Sequence, residues 1–408
     1  MTARAADATL RAANIVCLMD RRRTPYGRDK LPQHLASSIM DMAPQNSMDG
    51  HVHRAPTAIA GLTPAWLAAV LGEKLRGAGV GSVEIVDVAY GTATKIRLRV
   101  AYEGDAAHLP TSLIVKGGFA DHRVAMSPLY AHEVRFYRDL QSRLGVPSPL
   151  CLATQDDFAA PQHLAVLEDL VPRGVTFCQV ATPLTYRQAS DFLDILARLH
   201  ASFWNHPALA VGGELGDLAH WVPLPPPEGI GLFANQQLEP ATWAHYMALP
   251  RCQGIPRLFH DMPRMRAGLH ALNAFSLQGP VCLLHADFHL GNLYLEADGK
   301  GGVLDWQSYS KGHWSHDVTY FLVSALDPVD RRRWEGALVA HYLDRLRAEG
   351  VDDPPALDDA MVAFRIQIID GLFFWMVNPP EWQKEENNCA VAPRFAIAAL
   401  DHRTFDAF

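Results

Sequence analysis

The sequence predicts an α+β protein with a small N-terminal lobe on an antiparallel sheet and a larger, mostly helical C-terminal lobe. Two observations carry this. Short apolar stretches with period-two alternation crowd the region before about residue 170, and long segments of helical periodicity dominate after about residue 172. The 408 residues leave room for a core in each part. The expected division is an extension over 1–60, partly ordered, a sheet lobe over 61–170 and a helical lobe over 171–408.

The first helix start is Thr63-Pro64, a capping residue followed by proline at the first helical position. Leu67, Val70, Leu71 and Leu75 then recur at helical spacing until Gly77 and Gly79. Val83, Ile85 and Val88 lead into the small-residue turn Tyr90-Gly91-Thr92-Ala93-Thr94. Ile96, Leu98 and Val100 alternate with Lys95, Arg97 and Arg99, as on a half-buried strand. Leu113–Gly118 reads as a strand ending in two glycines, Pro128–Leu144 as a helix carrying Glu133, and His163–Leu170 as a strand entering Glu168-Asp169. Helices are expected at Arg187–His200, Met262–Phe275, His316–Ala325 and Arg331–Arg347.

Composition narrows the function. The balance of 49% hydrophobic and 20% charged residues is that of an ordinary soluble enzyme, and no apolar run approaches the ~20 residues of a membrane span. The most apolar stretches, such as Gly371–Val377, are short and have polar flanks. A net charge of −8 argues against a nucleic-acid binder, which needs a basic face. Six scattered cysteines without a CxxC pair fit a reduced compartment. The N-terminus lacks a secretory core, so a cytoplasmic location is expected. Composition is silent on oligomeric state.

Chemistry concentrates in Leu284-His285-Ala286-Asp287-Phe288-His289-Leu290-Gly291-Asn292, followed by Val303-Leu304-Asp305. Phosphoryl transfer needs a carboxylate beside the attacking hydroxyl, oxygen ligands for Mg²⁺ and electrostatic cover for the phosphates. Asp287 and Asn292 have the D-x-x-x-x-N spacing of a kinase catalytic loop. Asp287 then accepts the substrate proton, Asn292 offers an amide oxygen to Mg²⁺, and Asp305 supplies the second metal ligand. His285 braces the loop. The bland alternative is a polar turn with a capping aspartate, against which the four residues in this order weigh. A transition-metal cluster of His285, Asp287 and His289 is the other rival, and no later HxH or CxxC completes it.

These residues resemble the aminoglycoside phosphotransferase and choline kinase superfamily, a branch of the protein-kinase-like fold, and most closely its ecdysteroid-kinase-like group. That group's H-G-D-F-H-x-G-N and V-x-D-W-Q patterns correspond to His285–Asn292 and Val303–Gln307. The likeness runs from about residue 62 to the C-terminus. It implies a bilobal kinase-like fold, ATP and Mg²⁺ as cofactors, and a small-molecule alcohol as acceptor. Lys116 matches the lysine that pairs with the α- and β-phosphates, and Glu133 its ion-pair partner. The turn with Gly91, Thr92 and Thr94 would cover the phosphates, and backbone groups at Glu168 and Leu170 would bind the adenine edge. Asp317 resembles the aspartate that supports the catalytic loop. Ala286 stands where the family has glycine, which is tolerable if the backbone there avoids positive φ.

For the acceptor, Asp352-Asp353 and Asp358-Asp359 read as a solvated loop and helix start rather than a polycation site. The helical half is rich in aromatics: Trp204, Trp221, Trp243, Phe373, Phe374, Trp375 and Trp382. Most belong to a core, and some would line a pocket for an apolar or weakly polar alcohol. An aminoglycoside or choline-type amino-alcohol kinase is the alternative. A non-catalytic nucleotide-binding pseudokinase is the alternative of another class, although Lys116, Asp287, Asn292 and Asp305 are all retained.

Overall fold

A computed structural model describes residues 54–224, 230–379 and 382–407, with backbone alone for 230–233. Most of the expected 1–60 extension, and the last residues of the Pro223–Pro227 run, lie outside the described residues. The described chain divides into two compact units, 54–140 with 149–172 and 141–148 with 173–407.

The first unit is built on a five-stranded antiparallel sheet. Helix α1 (Pro64–Leu71) begins as its sequence dictates: Thr63 Oγ1 accepts from Trp66 N at 3.1 Å, with Pro64 in the first turn. It stops at Gly72, whose φ of 51° ends the helix earlier than the glycines at 77 and 79. Strands β1 (Gly79–Ala89), β2 (Thr94–Glu103), β3 (Ser112–Gly117), β4 (Cys151–Asp157) and β5 (Gln162–Glu168) are arranged β1-β2-β3-β5-β4. The alternation in β2 holds: Ile96, Leu98 and Val100 are buried and pack with Leu113, Val115, Leu164 and Val166 under Trp66, Leu67 and Leu71 of α1.

Helix α2 (Arg123–Arg135) starts before the expected Pro128 and runs through it, then passes into a π-turn at Phe136–Leu140. Gly118 follows β3 because nothing larger fits. A Cβ there would lie 2.4 Å from Arg123 Cγ and 2.6 Å from the Tyr130 ring. The end of β3 is thus pressed against α2, where Glu133 resides.

The second unit is mostly helical. It opens with α3 (Gln141–Leu144) and β6 (Thr176–Phe177), then α4 (Tyr186–Ser202). A capping box starts α4: Gln188 N donates to Thr185 Oγ1 at 3.2 Å and Thr185 N to Gln188 Oε1 at 2.9 Å. Helices α5 (Ile230–Gln237), α6 (Pro240–Met247), α7 (Pro250–Gln253) and α8 (Met262–Ser276) lead to four short strands, β7 (Val281–Leu284), β8 (Leu293–Leu295), β9 (Gly301–Val303) and β10 (Ser310–His313). Helices α9 (Ser315–Ala325), α10 (Pro328–Ala348), α11 (Leu357–Val377) and α12 (Glu385–Asp401) complete the unit.

Helix α11 corrects one expectation. Gly371–Val377 is the end of a 21-residue helix, apolar and long enough to cross a membrane by length and composition, with a mean hydropathy of 1.6 over its best window. In the fold 78% of that window is buried, and the helix is the spine of this core. Gly371 lets α12 approach, since a Cβ would stand 2.1 Å from the Phe395 ring. Asp358 and Asp359 sit exposed in the first turn of α11, where a helix dipole favours them.

Candidate active site

Strand β7 pairs antiparallel with β10, Leu284 opposite Ser310. That pairing brings the start of the 285–292 loop to the start of α9, where Asp317 is completely buried. Asp317 accepts two consecutive loop amides, His285 N at 2.7 Å through Oδ2 and Ala286 N at 2.9 Å through Oδ1. Burial alone would raise its pKa. The hydrogen bond from His200, with the charge of His316, brings it instead below the usual carboxylate range.

Ala286 has a φ of 64°, so the condition under which its methyl would be tolerated without strain is not met. The left-handed region costs a non-glycine residue about 1–2 kcal/mol, because Cβ crowds the following carbonyl. The loop therefore retains a glycine conformation with an alanine in it, and its neighbours must hold it there.

His285, expected to act in catalysis by bracing the loop, is fully buried. Its Nε2–H donates to Leu304 O at 2.9 Å, and Nδ1 accepts from Asp287 N at 3.2 Å. Burial lowers its pKa despite the nearby Asp317 and Asp287, so the ring is neutral and these two bonds fix its tautomer. With both nitrogens engaged, His285 is no ligand for a transition metal. Among the described residues no group of three His, Cys, Asp or Glu side chains is arranged to hold one.

A short 3₁₀ turn, Leu290–Asn292, returns Asn292 towards Asp287. Asn292 Nδ2 donates to Asp287 O at 2.9 Å and to Asp287 Oδ2 at 3.0 Å. His289 Nε2 lies 3.5 Å from the other oxygen, Oδ1. The Asp287 side chain remains 32% exposed, while the protein around it raises its pKa by desolvation, helped by Asp305 and opposed by His289, His285 and Asn292.

Strand β8 continues from Asn292 and pairs with β9, Leu293 opposite Val303. Leu304 N donates to Asn292 O at 2.8 Å, and Asp305 follows at φ 63°, within electrostatic reach of Asp287. With the Asn292 nitrogen committed to Asp287, its Oδ1 and the Asp305 carboxylate are the oxygen donors that could hold a cation. Such a pair suits Mg²⁺, which binds through one or two carboxylates and completes its shell with phosphate and water.

In the sheet unit, Lys116 Nζ contacts Glu133 Oε1 at 2.8 Å, with 5% and 4% of the two side chains exposed. The turn before β2 is fastened from α2 and the residue preceding it. Tyr130 Oη donates to Thr92 O at 2.6 Å, and His122 Nε2 reaches Gly91 O at 3.1 Å. Gly91 is exposed and Thr92 half-buried, whereas Thr94 faces inward with 1% exposed. Leu170 is buried, and the Glu168 carboxylate accepts from Leu150 N at 2.8 Å. Between them Asp169 accepts from Arg97 at 2.9 Å and Ser112 at 2.7 Å, tying the end of β5 to β2 and β3.

Sequence reasoning missed His200, His316, Asp370 and the fastening role of Tyr130. His200 Nε2 lies 3.3 Å from Asp317 Oδ2, and its Nδ1 meets Tyr342 Oη at 2.7 Å. A histidine on the apolar face of α4 was the available signal. A run of mostly buried rings also starts at His289, beside Asp287. His289 packs on Trp375 (centroids 5.5 Å apart), Trp375 on Tyr320 (6.3 Å), Tyr320 on His316 (5.6 Å), His316 on Trp221 (4.8 Å) and Trp221 on Phe374 (5.8 Å). Of the other aromatics read from the sequence, Trp243 and Phe373 are core residues and Trp382 is exposed.

The sheet unit holds a buried lysine–glutamate pair, and the helical unit an Asp–Asn loop followed by an aspartate. The profile of the phosphotransferase enzyme family matches residues 120–358, more than half of the chain. The chain belongs to that family and is a phosphotransferase with an alcohol group as acceptor. Similar solved structures include a macrolide 2′-phosphotransferase type I (15% identity, TM-score 0.43, 81% of this chain and 95% of that one). A Plasmodium vivax ethanolamine kinase (9%, 0.47, 79% and 83%) and the choline kinase LicA of Streptococcus pneumoniae (11%, 0.42, 81% and 94%) are others. No curated protein matches the chain.

Proposed function

We propose that the protein transfers the γ-phosphate of ATP to a hydroxyl of a small molecule, with Asp287 as the base. The observation that carries this reading is the bidentate grip of Asn292 Nδ2 on the Asp287 carbonyl and carboxylate. It fixes the base while leaving the amide oxygen for a cation.

In the proposed reaction the acceptor oxygen attacks the γ-phosphorus as its proton passes to Asp287 Oδ1 or Oδ2. The bond from the γ-phosphorus to the β–γ bridging oxygen breaks, and ADP leaves. Lys116, oriented by Glu133, pairs with the α- and β-phosphates. Backbone amides at Gly91–Thr94, with the Thr92 hydroxyl, cover the phosphates. Backbone groups at Glu168 and Leu170 take the adenine edge. Asn292 Oδ1 and Asp305 would hold Mg²⁺, which when bound neutralises charge on the phosphate oxygens. His285 and Asp317 hold the loop.

The acceptor in this reading is an apolar or weakly polar alcohol. Support comes from the exposed placement of Asp352, Asp353, Asp358 and Asp359, which leaves no acidic cluster there for a polycation. The resemblance to an ecdysteroid-kinase-like group points the same way, while the family match itself is to phosphotransferases at large. A screen of MgATP with sterols, macrolides, aromatic alcohols, choline, ethanolamine and aminoglycosides tests it. Turnover of hydroxyl compounds with large apolar skeletons is expected. Turnover of polycationic amino sugars alone would sink the acceptor assignment.

A further inference from the structure

We propose that His316 is a positioning residue for the phosphotransfer site, gripping the Ala286 carbonyl while Asp317 grips the Ala286 amide, so that the left-handed turn aiming Asp287 is held from both sides. This rests on the reading of Asp287 as the base.

The grip is visible atom by atom. Ala286 N donates to Asp317 Oδ1 at 2.9 Å, and on the other side His316 Nε2 reaches Ala286 O at 3.4 Å. Adjacent residues in the first turn of α9 thus take the donor and the acceptor of one residue. The residue they hold is at φ 64° without being glycine, the conformation in the loop least able to maintain itself.

The far side of His316 is anchored in turn. Its Nδ1 lies 3.3 Å from Asp370 Oδ2 on α11, and Asp370 is 1% exposed. The Gln367 amide stands 3.3 Å from the same nitrogen. Trp221 and Tyr320 pack against the ring. The charged groups facing His316 are Asp370 from α11 and Asp317 from its own helix, whose Oδ1 is 3.8 Å from Nε2. The two carboxylates favour the imidazolium. Burial alone would lower its pKa, but Asp370 and Asp317 raise it above the ordinary histidine value.

Two substitutions separate the grip from mere packing. In His316→Asn the amide nitrogen imitates Nδ1, keeping the Asp370 contact and losing Ala286. In His316→Gln it imitates Nε2, keeping Ala286 and losing Asp370. ADP release from MgATP by the full chain is measured, with Asp287→Ala as the control. His316→Asn is expected to lower kcat about tenfold with KM for ATP unchanged, since a displaced base costs rate rather than nucleotide affinity. His316→Gln keeps kcat within about twofold, and adding Ala286→Gly to His316→Asn restores it. Should His316→Gln not fold with Asp370 unpaired, His316→Gln/Asp370→Asn replaces it.

Equal loss in the Asn and Gln variants, or no rescue by Ala286→Gly, overturns the proposal. An activity-free readout is the φ of Ala286 in a crystal structure of His316→Asn. Departure from the left-handed region is expected, and retention near its present value overturns the proposal. If Asp287→Ala keeps the wild-type rate, the base assignment falls and the clamp stands or falls on φ alone.

Discussion

Asn292 Nδ2 reaches both the main-chain oxygen and the carboxylate of Asp287, at 2.9 and 3.0 Å. One side chain therefore sets where the Asp287 carboxylate points and leaves its own amide oxygen unused by that contact. The two residues act as a unit, and single substitutions should not add.

Asp287→Ala is expected to lower kcat by about 10²–10⁴-fold, the usual contribution of a positioned acid or base. Asn292→Ala should lower it as well, by releasing the carboxylate and removing a metal ligand. The double variant should be little worse than Asp287→Ala. Steady-state ADP formation measures all three, and strict additivity of the two losses would separate Asn292 from Asp287.

The pH dependence of activity and of stability should run in opposite senses. The pKa of Asp287 is raised, so kcat/KM falls as pH drops through that value, above the ordinary 3.8 of a carboxyl. For stability, a raised folded-state pKa means the folded protein binds the proton more tightly than the unfolded chain. That contribution is complete below the unfolded pKa and is lost as pH rises through the folded one. Asp287→Asn should therefore melt at a higher temperature than wild type at pH 8, with a smaller difference at pH 4. A melting curve shifted downward at pH 8 would contradict it.

Lys116→Ala leaves Glu133 buried without its lysine, and should cost about 3–5 kcal/mol of unfolding free energy as well as nucleotide binding. Lys116→Met with Glu133→Leu should recover most of the stability and none of the binding. Urea denaturation and ATP titration on the same preparations separate the two effects.

Gly371→Ala places a methyl against the Phe395 ring, where its Cβ would lie at 2.1 Å. Overpacking of this kind costs about 1–3 kcal/mol, read as a lower urea midpoint with an unchanged m-value.

The sequence made some of this fold legible because the causes are local. Thr63-Pro64 caps α1, and the alternation from Lys95 to Val100 becomes β2 with its apolar side buried. Lys116 and Glu133, seventeen positions apart, form their pair because a strand and the next helix pack directly together. Asp287, Asn292 and Asp305 fall in one connected stretch for a similar reason.

What stayed hidden has distant causes. Strand β4 presents half-buried residues along nearly its whole length, so no alternation marked it. Helix α11 read as broken runs because Arg365 and Asp370 interrupt it, and the partner that makes Asp370 tolerable comes from α9. His200 reaches Asp317 across 117 positions of chain. The φ of Ala286 is imposed by Asp317 and the loop closure, against the residue's own preference.

The hairpin of β8 and β9 has a consequence for how such sites are recognised. The pairing of Leu293 with Val303, and of Leu304 N with Asn292 O, sets the distance between the two oxygen donors. The exposed turn at Ala297-Asp298 contributes nothing to that distance. Evolution is free to lengthen or shorten the chain there, and an engineer can insert a fluorophore-binding tag or an epitope at the same place. A search pattern joining the Asn-bearing loop to the next aspartate should leave that gap open and fix only its two ends.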